Sequence, residues 1–335
     1  MKKLRLIDFY IIALLVCGIS AVALRSYALL FDLNLITKHF SGVASIVSDV
    51  IIVVAILLFA SYFFLKKQQD DLIDKTDNAA SYIPAGIVST ALLFMGVNMI
   101  KSMNTHSLSV LRALSIWSAV LAFLSVGAFF LAIFIEQKNH IYKASFSLCL
   151  VIFLALYACY LYFNREVHPT NSPTKIVDQM AYLLSAAFFL YESRISLGRA
   201  KWRGYVAFGF MASLLCFYSA IPTLVFYAFE GYVVSDSLIE SVLTLALGIY
   251  VTSKVLQTKH LTPNTECETA KSISALANLR QEEIEEMRRA SRAHANNNME
   301  ENDHEDDLTN YTFDIPYVET RSEFSSDDSE LDINQ

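Results

Sequence analysis

The stretch VASIVSDVIIVVAILLFASYFFL, Val43 to Leu65, holds 23 residues and one charge, Asp49. At 1.5 Å of rise per residue, a helix of about this length crosses a hydrocarbon core roughly 30 Å thick. Its apolar residues are continuous and do not alternate with polar ones, which favours a helix over a strand of a closed barrel. One similar run precedes it, Leu6 to Leu24, and six follow: Ile83 to Ile100, Val110 to Ile135, Lys143 to Phe163, Ile176 to Leu197, Tyr205 to Phe229 and Leu238 to Val255. The sequence therefore predicts an all-α, polytopic transmembrane helical bundle of about eight spans over residues 1–255. The first run is too long for a removable signal peptide and is expected to be retained. The third reads as the weakest, because it is short, contains Asn98 and opens at Pro84, a residue suited to a first helical turn.

Composition agrees: 54% of the 335 residues are hydrophobic and 18% are charged, a balance that argues against a water-soluble globular domain. The net charge of -7 is unevenly divided. Residues 256–335 hold 7 Lys+Arg against 19 Asp+Glu, and residues 1–255 hold 19 against 14. The tail has too few apolar residues to bury a core and is expected to be mostly disordered. A short helix is expected at 270–295, where Ile273, Leu276, Leu279, Ile284 and Met287 recur at roughly helical spacing. Residues 300–335 carry 13 acids and one base, Arg321, around Tyr311, Phe313, Ile315 and Tyr317. That composition reads as an acidic tether with one sticky segment, through which a cytoplasmic protein partner is expected.

Lys and Arg fall unevenly between alternate connections. One set holds 14 of them, including Lys2, Lys3, Lys66, Lys67, Arg194, Arg199, Lys201, Arg203 and Lys254. The other holds six: Arg25, Lys38, Lys101, Arg112, Arg165 and Lys175. Basic residues are retained on the cytoplasmic side, so both termini are expected in the cytoplasm, the chain passing through the plasma membrane an even number of times. The four bases between Arg194 and Arg203 are accounted for by that bias, with Trp202 in an interfacial belt. Tyr157, Tyr160 and Tyr162 are expected in a similar girdle.

Catalytic signatures are missing. There is no phosphate-cradling Gly-rich loop, no His-Glu-x-x-His pair, and no histidine inside a span to serve a membrane-embedded nucleophile. The five cysteines show neither a disulfide framework nor metal spacing. No catalytic residue, metal, cofactor or nucleic-acid partner is expected. What remains is a set of ionisable groups within or at the ends of spans, where an uncompensated charge at the bilayer centre costs about 3 kcal/mol or more. Asp49, Glu240, Arg25 and Arg112 all map to the outer leaflet. An Asp49 or Glu240 pair with Arg25 or Arg112 would offset desolvation on both sides. Pro222 lacks the amide that would pair with the Tyr218 carbonyl, so the seventh run should kink at the same depth. Asp49, Glu240, Arg25, Arg112, Tyr218 and Pro222 thus form the candidate ligand-binding set, with structural ion pairing as the plainer reading.

From Asn171-Ser-Pro-Thr-Lys-Ile-Val-Asp-Gln-Met180 through Phe188-Phe-Leu-Tyr-Glu-Ser-Arg-Ile-Ser-Leu-Gly-Arg199, the chain resembles uncharacterised multi-pass membrane proteins of anaerobic Gram-positive bacteria. The resemblance covers the eight spans and not the tail. It implies a bacterial plasma membrane and carries no activity. The expected role is a non-enzymatic membrane sensor or scaffold whose tail recruits a partner, with a small-solute or ion transporter as the alternative.

Overall fold

A computed structural model describes residues 6–34, 40–64, 82–103, 108–134, 140–164, 173–197, 201–231, 238–258, 275 and 278–290. The chain divides into two compact units, Met1–Arg280 and Gln281–Gln335. Eight long helices make up the first: α1 (Leu6–Tyr27), α2 (Val43–Ala60), α3 (Tyr82–Met103), α4 (Ser109–Phe134), α5 (His140–Phe163), α6 (Pro173–Ser196), α7 (Trp202–Glu230) and α8 (Leu238–Gln257). Each coincides with one of the apolar runs. Helix is also described over 278–290, inside the stretch where one was expected; the rest of the tail, with the Tyr311 to Tyr317 segment, lies outside the described residues.

Consecutive helices pack from α3 to α8, and α3 also packs on α8, so these six close into a ring. The α1–α2 hairpin docks on α7. In the most apolar part of α1 only 17% of the residues are buried, against 67% in α7, so α7 joins the ring to the hairpin. The exposed large side chains are the lipid-facing kind, such as Leu15, Val16 and Ile19 on α1 and Val50, Val54 and Leu57 on α2.

Seven of these helices are long and apolar enough to cross a membrane. The third is among them: α3 extends over 22 residues, so it is not the weak member. The helix short of the criterion is α6, despite its 24 residues. Its polarity points inward. Ile176, Met180, Leu183 and Leu190 are exposed, while Lys175, Tyr182, Ser185, Glu192, Ser193 and Ser196 are buried. A helix whose polar stripe faces its neighbours meets lipid with its apolar side, and its average polarity then understates its fitness to span.

Candidate functional site

The candidate ligand-binding set is split by the structure. At the C-terminal end of α1 lies one turn of π-helix (Ala28–Asp32). The Asp32 carbonyl accepts hydrogen bonds from the Ser41 amide (3.0 Å) and hydroxyl (3.1 Å), and Leu33 pairs with Phe40. This closure lays the Phe40 ring 4.5 Å from the Arg25 guanidinium carbon, with the Tyr218 ring at 5.3 Å on α7. Two aromatic faces thus cover a cation with 3% of its side chain exposed.

Arg25 donates from Nη1 to Asp49 Oδ1 at 3.4 Å, and the Tyr218 hydroxyl donates to the same oxygen at 2.6 Å. Ser48 Oγ lies 2.8 Å from the Tyr218 hydroxyl oxygen and 2.8 Å from the Ser45 carbonyl, with one proton to give to either. The Asp49 side chain is 42% exposed. A buried cation therefore faces the surroundings through its carboxylate, and an incoming group meets Asp49 first.

Arg25, Asp49 and Tyr218 come together, as their spacing allowed. Glu240 belongs to a different group in the first turn of α8. It is 3% exposed and lies within electrostatic reach of Tyr182. Thr244 donates to the Glu240 carbonyl at 2.9 Å and shares a 2.7 Å hydrogen bond with the Tyr182 hydroxyl. Arg112 lies exposed on α4. Pro222 is buried within α7, and Thr223 beside it donates to the Ser219 carbonyl at 2.9 Å.

Sequence reasoning missed most of what α6 contributes. Lys175, counted above as a loop cation, is 2% exposed and donates to the carbonyls of Tyr162 (3.1 Å) and Asn164 (2.9 Å) at the end of α5. An ammonium there satisfies carbonyls that the helix leaves open and suits the negative end of its dipole. Asp178 accepts a short hydrogen bond from Ser219. Ser185 pairs with Cys216 at 3.4 Å. Glu192 accepts from the Tyr250 hydroxyl at 3.1 Å, and Arg194 lies 5.8 Å from the Tyr191 ring centroid. These side chains follow Lys175, Asp178, Tyr182, Ser185, Phe189, Glu192, Ser196, alternating steps of three and four. That period was readable in the sequence as one helical face.

The tyrosine girdle is corrected as well. Tyr157 and Tyr160 are 0% and 2% exposed, within a stack that joins Phe153 and Tyr182; only Tyr162 is outward-facing. Trp202, expected at the interface, is 6% exposed and packs edge-on against Tyr205. Among the described residues no group of three or more His, Cys, Asp or Glu side chains is placed to hold a metal ion.

Polar contacts thus cross the bundle in sequence. Tyr218 on α7 reaches Asp49 on α2, its neighbour Ser219 reaches Asp178 on α6, and Tyr182 on α6 reaches Thr244 on α8. Comparison of the chain with protein-family models, with curated proteins and with solved structures finds no match in any of the three.

Proposed function

We propose that the protein is a non-enzymatic membrane sensor or scaffold of the bacterial plasma membrane, with both termini in the cytoplasm and a tail that recruits a protein partner. The observation that carries this reading is the run of inter-helical polar contacts from α2 through α7 and α6 to α8, because α8 is followed in the chain by the acidic tail. In this orientation Asp49, partly exposed six residues inside the start of α2, lies at outer-leaflet depth. A ligand there that takes hydrogen bonds from Arg25 or Tyr218 alters the seat of α7, and α7 is bonded on its other side to α6.

Removing residues 259–335 tests the assignment. The shortened chain is expected to insert and unfold as the full chain does, and to lose the proteins crosslinked to it in native membranes. Equal recovery of those proteins with and without the tail would count against the sensor or scaffold role. A reporter fused after Gln335 should read as cytoplasmic; an exterior signal would reverse the orientation. The transporter reading is favoured by one feature, the polar stripe along the full length of α6, since transport sites place polar groups at membrane depth. Solute flux that survives tail removal would select it.

A further inference from the structure

Helix α2 buries Ser48, Ile52, Ala55 and Phe59 on one face. On the other side Ile46, Val50, Val53 and Leu57 are exposed, and their steps of four, three and four residues keep them in one stripe about 16 Å long. Ile46, Val50 and Val53 are β-branched and hold essentially one χ1 rotamer in a helix, so packing against them removes little side-chain freedom. Asp49 borders this stripe, three residues after Ile46 and four before Val53. Its Oδ1 accepts from Arg25 at 3.4 Å and from Tyr218 at 2.6 Å. An ionised carboxylate has about four acceptor sites, so Oδ1 is fully used, while among the described residues no hydrogen bond or ion pair reaches Oδ2. The side chain is 42% exposed and lies about 9 Å inside the start of α2.

A carboxylate oxygen at that depth meets hydrocarbon, which donates nothing, unless a neighbour supplies a proton. A soluble ligand would cover Oδ2 and leave the apolar stripe bare. A second helix covers both, because it satisfies its own backbone in lipid and can carry a donor on its side. The charge of that donor follows from the pair already present. Arg25 balances Asp49, so a basic residue brought to Oδ2 would leave one cation uncompensated at membrane depth, beside a buried guanidinium that repels it. A side-chain amide or hydroxyl donates without adding charge. We propose that the exposed stripe of α2 binds a transmembrane helix of a partner protein, and that an Asn, Gln, Ser or Thr of that helix donates to Asp49 Oδ2 at outer-leaflet depth. The inference deepens the sensor or scaffold reading and rests on its membrane-spanning topology, but not on the tail.

The test reconstitutes the full chain in lipid vesicles with leucine-rich transmembrane peptides that carry a photoreactive leucine and, at the depth of Asp49, a single Gln, Leu or Lys. The expected result is about three- to tenfold more crosslinking for the Gln peptide than for the Leu peptide, the range of one inter-helical hydrogen bond in a membrane, with the crosslinks concentrated on residues 46–57. Replacing the ion pair by apolar residues, Arg25→Leu together with Asp49→Leu, leaves no lone buried charge and should return the Gln peptide to the Leu level. Equal yields from the Gln and Leu peptides would mean that lipid alone covers the stripe and would overturn the proposal, as would an excess that survives the double variant. Stronger crosslinking of the Lys peptide would overturn the neutral donor. Should the double variant fail to fold, the wild-type positions decide, and crosslinks spread evenly over the lipid-facing helices overturn it. A chain lacking residues 259–335 should crosslink equally well, which separates failure of this contact from failure of recruitment by the tail.

Discussion

Asp49→Asn is expected to destabilise the bundle by about 2–3 kcal/mol, while Arg25→Met costs only about 1 kcal/mol. The two sides of one ion pair differ because their surroundings differ. Arg25 has 3% of its side chain exposed and Asp49 has 42%. Removing the carboxylate charge leaves a guanidinium inside the bundle that, among the described residues, keeps the Phe40 and Tyr218 ring faces to compensate it, and ring faces offset about 0.5–2 kcal/mol. Removing the arginine leaves an accessible carboxylate that still accepts from Tyr218 at 2.6 Å. Asparagine retains an acceptor for that hydroxyl, so the substitution isolates the charge. The double variant should therefore be no less stable than Asp49→Asn alone, a non-additivity expected of direct partners. Denaturant titration of the four chains in one detergent measures this. Equal costs for both single variants would mean that Arg25 is hydrated despite its burial.

That pair was legible in the sequence because a membrane helix has so few charges that those at matching depth are drawn to one another. Depth follows from counting residues along a run. Rotation about the helix axis does not, because lipid and protein interior are both apolar, and continuous runs leave no amphipathic phase to read. Hence Glu240 was grouped with Arg25 at the same depth although it faces Tyr182 and Thr244. Tyr157 and Tyr160 were assigned to the interface although both lie in the core. The exception is α6, the one span polar enough to carry a phase. Its stripe from Lys175 to Ser196 marks the inward face directly once those residues are taken as one pattern and not as separate loop and span residues.

Close approach of helices is the other property hidden from composition, and it sets a large expected packing effect. Along α7 and α8, which run antiparallel, Gly209 faces Val255 and Gly248 faces Cys216, so each helix offers one glycine to the other at a separation of seven residues. A Cβ on Gly209 would overlap the Val255 Cγ2 methyl and lie 3.2 and 3.3 Å from two ring carbons of Phe188, pressing on α8 and α6 together. A Cβ on Gly248 would fall 2.9 Å from the Cys216 Cβ, an atom that moves only with its backbone. Overpacking of this kind costs about 1–3 kcal/mol and occasionally more. Gly209→Ala is therefore expected to destabilise by about 2 kcal/mol and Gly209→Ile by about 3 kcal/mol or more. A Cβ on Gly86, in α3, would meet nothing within 4 Å, so Gly86→Ala should be neutral or stabilising by up to about 1 kcal/mol through helix propensity alone. Val255→Ala removes the overlapping methyl and should recover part of the Gly209→Ala loss, since residues in contact do not add. If the overlap sets the cost, Gly209→Ala and Val255→Ala together are more stable than the sum of their separate effects. A strictly additive pair would show instead that α7 yields along its whole length, and that the alanine penalty arises against Phe188.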